Sequence, residues 1–82
     1  MTSSVSDKLL NLLVSLTHTE EIRANLDLHL YDYQLLDSIR TVELMVMIEQ
    51  EFGVKISPAE FERENWATPR KIIADIDRRL SA

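Results

Sequence analysis

The chain has 82 residues, a net charge of −5, 45 % hydrophobic side chains and no cysteine. That length allows a single small domain, residues 1–82, whose modest core excludes a deep cavity with its own catalytic machinery. The lack of cysteine excludes disulfides, thiolate metal sites and thioesters on the chain's own sulfur. No apolar run has the length of a membrane span and no basic region is followed by an apolar leader, so a soluble, cytoplasmic protein that does not itself cross a membrane is expected.

Val5, Leu9, Leu12, Leu13 and Leu16 share one face at helical spacing and predict a helix over residues 4–17, with Ser4 or Ser6 at its start. In residues 18–36, Leu26, Leu28 and Leu30 alternate with polar neighbours. A lone strand would have no partner, so the spacing is read as a long ordered connection whose leucines and Tyr31 plug gaps between helices. Residues 38–52 predict the second helix. Asp37 or Ser38 caps it, and Gly53 supplies a left-handed stop before Val54 and Ile56 anchor a short link. Ser57-Pro58-Ala59-Glu60 joins a cap, a proline at the first helical position and a reciprocal glutamate. It predicts a short third helix carrying Phe61, with Trp66 just beyond. Thr68-Pro69 repeats the cap and proline and opens a last helix, with Ile72, Ile73, Ile76 and Leu80 on one stripe and Arg78 and Arg79 in its final turn. The expected fold class is all-α: a small four-helix bundle with a long first loop and a short third helix.

The charge is unevenly spread. Residues 20–64 hold eleven acidic and four basic side chains, whereas residues 65–82 hold two acidic and four basic. An acidic middle repels nucleic acid and suits partners with basic docking surfaces, although it also simply keeps a small protein in solution. At about 100° per residue, Thr41, Leu44, Met45, Ile48 and Phe52 gather on one side of the second helix as its core stripe. Ile39, Glu43, Val46 and Gln50 lie opposite, flanked by Val42 and Met47. This second side is either an apolar docking strip or part of a helix buried all round.

Ser38 stands where the long connection meets this helix. A hydroxyl there is a routine helix-start residue and also an exposed handle beside free backbone N–H groups, suited to a phosphate-bearing group. A Ser-His-Asp hydrolase would need His18 or His29 as its base, and the sequence offers no oxyanion pocket or nucleophile elbow. His29 with Asp27 or Asp32 has no metal-ligand spacing, and Glu60, Glu62 and Glu64 read as a solvated face.

Leu36-Asp37-Ser38-Ile39, followed by Thr41-Val42-Glu43-Leu44 and Glu49-Gln50-Glu51-Phe52, resembles the acyl carrier protein superfamily. Phe61-Glu62-Arg63-Glu64-Asn65-Trp66-Ala67-Thr68-Pro69-Arg70-Lys71-Ile72 and the pair Tyr31-Asp32 resemble the D-alanyl carrier group within it. Gln34 stands where these carriers usually have glycine, and Arg40 where they have a small residue. The resemblance implies a bundle of acyl-carrier type and a non-catalytic role. It implies that a phosphopantetheinyl transferase moves 4′-phosphopantetheine from coenzyme A onto Ser38, beside a capping and positioning Asp37. It further implies a ligase that adenylates D-alanine and loads it on the arm as a thioester, and membrane acyltransferase machinery that D-alanylates teichoic acids. Ile39, Arg40, Val42, Glu43, Val46 and Met47 are the candidate partner-binding residues, and a monomer is expected. Two rivals stand beside this reading: an aminoacyl or acyl carrier of a natural-product pathway, and a helical adaptor that carries no modification.

Overall fold

The computed structural model describes residues 2–59 and 61–81. The first helix, α1, spans Thr2–Thr17. Leu9, Leu10 and Leu13 are buried on it, and Val5, Leu12 and Leu16 pack beside them. The predicted stripe is thus the core face, with Leu10 added. Ser4 and Ser6 lie inside the helix and do not precede it. The N-terminal run offers several residues able to cap, so the pattern alone does not choose among them. At the other end the N–H of His18, at a left-handed φ of 62°, bonds the Val14 carbonyl at 2.8 Å.

The long connection contains a short helix absent from the sequence-based expectation, α2 at Glu21–Ala24. Thr19 Oγ1 accepts the Glu21 N–H at 3.2 Å, and the fully buried Ile22 anchors the turn. Four residues are too few to show a periodicity. Beyond it the connection is an anchored loop, as expected. Leu28, Leu30 and Leu36 are buried, and Leu26, Tyr31 and Leu35 are half-buried against the core. The alternating leucines form no strand. Their backbone instead bridges to the end of the chain: Leu30 N–H bonds the Ala67 carbonyl at 2.8 Å, and Arg70 N–H bonds the Leu26 carbonyl at 2.9 Å.

Helix α3 spans Ser38–Phe52. Thr41, Leu44, Met45 and Ile48 are buried and Phe52 packs partly against them, so the predicted core stripe holds. Gly53 ends the helix at φ 71° and ψ 15°, its N–H bonding the Glu49 carbonyl. An added Cβ there would meet nothing within 4 Å. Conformation, not crowding, is the reason for glycine.

The helix expected to open at Ser57 does not form there. Ser57 Oγ accepts the Ala59 N–H at 3.3 Å and residues 58–59 make a turn, while the expected partner Glu60 lies outside the described residues. The helical turn comes later, as a 3₁₀ turn at Arg63–Trp66. Two aromatic anchors account for the displacement. Trp66 is buried and donates its indole N–H to Asp75 Oδ2 at 2.9 Å, and Phe61 packs edge-on against it at 5.1 Å between ring centroids. Tertiary packing of this kind overrides a local start signal in so short a segment.

Helix α4 spans Pro69–Ser81, with Thr68 Oγ1 accepting the Lys71 N–H at 3.3 Å. Ile72 and Ile76 are fully buried and Ile73 partly so, but Leu80 is 42 % exposed because the stripe outruns the bundle. Asp75, which the pattern left unremarked, is a buried hub that accepts from Trp66, Arg78 and Arg79. Helix α1 packs against both α3 and α4, giving an all-α bundle of acyl-carrier type with a short third helical element. Among the described residues no helix is long and apolar enough to cross a membrane.

Candidate functional site

The start of α3 is built by the residues just before it. Leu36 is buried and fixes the incoming chain. Asp37 is extended, and its Oδ1 accepts the Arg40 N–H at 2.8 Å, satisfying one of the orphan donors of a helix start. The Asp37 carbonyl accepts twice more, from the Thr41 N–H at 2.8 Å and the Thr41 hydroxyl at 2.6 Å. Since Thr41 spends its only hydroxyl proton there, Tyr31 must donate in its 2.7 Å contact with Thr41 Oγ1. A chain of hydrogen bonds thus ties the loop to the helix start. Ser38 follows as the first helical residue and is exposed.

The preceding loop is tight. Leu35 and Leu36 N–H groups both bond the Leu30 carbonyl, at 2.8 and 3.2 Å, and Gln34 sits at a left-handed φ of 61°. A residue other than glycine pays for that conformation. Glycine would adopt it without that strain.

The expected docking strip is open. Ile39 is 72 %, Val42 51 % and Val46 50 % exposed, and Glu43 beside them is exposed too. The alternative of a helix buried all round is therefore excluded for this face. Arg40, a candidate partner-binding residue, and Met47, expected to flank the strip, are half-buried and turn toward the end of α1. There they line a hollow of about 380 Å³ with Leu16, His18 and Glu43. The Arg40 guanidinium donates to the Leu35 carbonyl at 3.3 Å.

On the other flank of Ser38 lies a cleft of about 160 Å³, which Ser38 lines together with Tyr31, Val42, Met45, Pro58, Phe61 and Arg63. The Arg63 guanidinium stands over the Tyr31 ring, 4.4 Å from its centroid. Sequence reasoning missed this cleft. It brings together three separate segments, and no spacing within one element signals it. His29 Nδ1 lies 3.8 Å from Asp32 Oδ2 on the surface and His18 lines the opposite hollow, so neither lines the cleft of Ser38, where the base of a serine nucleophile would stand.

A small helical bundle whose long, pinned connection runs into an exposed helix start is the arrangement that the resemblance to acyl carriers implies. Comparison with known proteins agrees. The family described as a phosphopantetheine attachment site matches residues 7–76. A D-alanyl carrier protein from Lacticaseibacillus casei is 39 % identical over 75 residues, covering 92 % of this chain and 93 % of that protein. D-alanyl carrier proteins from Enterococcus faecalis and Listeria welshimeri are each 38 % identical, over 90 % and 87 % of this chain and 95 % and 91 % of their own lengths. The chain belongs to the phosphopantetheine-bearing carrier family, alongside the D-alanyl carrier proteins.

The family's cofactor, 4′-phosphopantetheine, fits the helix start observed here. The Ser38 hydroxyl is accessible, the adjoining cleft is lined largely by apolar side chains, and no acidic side chain among the described residues lines it.

Proposed function

We propose that residues 1–82 act as one carrier domain. Ser38 bears the 4′-phosphopantetheine arm, and the cargo is D-alanine destined for teichoic or lipoteichoic acid. When bound, the arm supplies the thiol that the chain lacks, and on it an amino acid is held as a reactive thioester. The observation that carries the reading is the exposed Ser38 hydroxyl behind the Asp37 cap, in a chain matching carriers of D-alanine over about nine-tenths of its length. The chain's own residues do the positioning. Asp37 and Thr41 pin the helix start, so a modifying enzyme meets the hydroxyl on a fixed backbone.

Ile39, Val42 and Val46 offer an apolar strip of modest size, with Glu43 beside it, to a phosphopantetheinyl transferase and then to a D-alanine-adenylating ligase. Arg40 and Met47 extend the contact toward α1. Weak, fast docking on such a surface suits a carrier that serves several partners in turn, the last being membrane acyltransferase machinery reached from the cytoplasm. Tethering raises the cargo's local concentration at each of them.

The test is to load the protein with coenzyme A and a broad-specificity transferase, then add a D-alanine ligase, D-alanine and ATP. A hydroxylamine-labile mass gain of one alanyl group is expected. An arm that forms but accepts no D-alanine from a competent ligase would reassign the cargo to another pathway, with Arg40 beside the attachment point as the first residue to examine.

A further inference from the structure

Two arginines flank Ser38, and the structure separates their roles. Arg40 is near in sequence, but one N–H of its guanidinium bonds the Leu35 carbonyl at 3.3 Å and it lines the hollow on the α1 side, not the cleft of Ser38. Arg63 is distant in sequence, yet it lines the same cleft as Ser38. Among the described residues Arg63 has no carboxylate within ion-pairing distance. Its neighbour Glu64 lines a different hollow with Lys71 and Arg78.

Arg63 is also held in place. Its guanidinium stands over Tyr31, and Tyr31 is fixed in turn through its hydroxyl to Thr41, which bonds the Asp37 carbonyl at the helix start. A guanidinium held over an anchored ring loses less freedom when it receives an anion, and its fork of N–H donors matches phosphate oxygens. No acidic side chain among the described residues lines the cleft, so none there competes for the guanidinium.

We propose that Arg63, positioned by Tyr31, is the counter-charge to the phosphodiester of the arm on Ser38. This deepens the reading of Ser38 as the arm's anchor and rests on it. Arg63 is here a positioning residue. It sets the direction in which the arm leaves the helix start, along the cleft toward Phe61 and away from the Arg40 side.

The experiment is NMR on the intact protein before and after attachment, using isotope-labelled chain and the phosphorus resonance of the arm. The side-chain Nε–H resonance of Arg63 should shift on attachment, and that of Arg40 should not. In holo-protein carrying Arg63→Gln, the phosphorus resonance should move away from its wild-type position, and high salt should shrink the difference. Tyr31→Phe, which keeps the ring, should retain the Arg63 shift, whereas Tyr31→Leu should lose it. An unmoved Arg63 resonance in wild-type protein whose mass shows the arm attached would overturn the proposal and leave the carrier reading intact. No mass gain at all would overturn the carrier reading instead. The wild-type comparison needs no variant, so a poorly folding Arg63→Gln protein still leaves a decisive result.

Discussion

Asp37 holds the helix start with both halves of the residue. Its carboxylate takes the Arg40 N–H and its carbonyl takes the Thr41 N–H and hydroxyl. Asp37→Ala removes only the carboxylate bond. It should lower stability by about 1 kcal/mol and the melting temperature by roughly 4–8 °C, read by circular dichroism, and it should slow attachment at Ser38. Asp37→Asn keeps an acceptor and should recover most of the stability. A cap at Asp37 or Ser38 was legible in the sequence because capping is local chemistry written within a few positions, and the structure assigns it to Asp37. The placement of Arg63 over Tyr31 was not, since it depends on where a loop and a distant turn come to rest. Gln34 falls between these cases. Its left-handed φ is a property of the tight loop around the Leu30 carbonyl, and the side chain itself gives no hint of it.

Elements with a strong signal at both ends were read correctly. Helix α3 runs from the Asp37 cap to Gly53, and its two faces divide as the angular spacing predicts. Elements whose existence depends on packing were read less well. Helix α2 is held by one buried isoleucine, and the turn at Arg63–Trp66 displaced the helix expected at Ser57 because Phe61 and Trp66 seek each other and the core. The open face of α3 yields a prediction at this scale. Val46 is 50 % exposed, so Val46→Asp should leave the melting curve within about 0.5 kcal/mol of wild type. Loading by the transferase or the ligase should fall roughly tenfold, the loss of about 1.4 kcal/mol expected at a docking contact. Loss of the helical signal in that variant would mean the face is core.

Over the whole molecule, Asp75 joins the last helix to the 3₁₀ turn. Burial pushes its carboxyl upward, but the hydrogen bonds from Trp66, Arg79 and Arg78 together outweigh this and hold it below the usual carboxylate range. Asp27, on the long connection, is likewise held low by its bond from Arg70 of α4. A carboxylate depressed in the folded state contributes stability that is present above its unfolded value near 4 and is lost as pH falls through the folded value. The bundle should therefore hold from neutrality to about pH 4 and loosen below it, with Trp66 fluorescence reporting the change. Asp75→Asn should flatten that acid limb and cost about 1–3 kcal/mol at neutral pH. In the proposed function the hydroxyl at position 38 is where the arm is attached. Intact-mass measurement after incubation with coenzyme A and a phosphopantetheinyl transferase tests it most directly. Wild-type protein should gain one phosphopantetheine and a folded Ser38→Ala protein should gain none. A wild-type mass that does not change with an active transferase, or a gain that persists in Ser38→Ala, would contradict it.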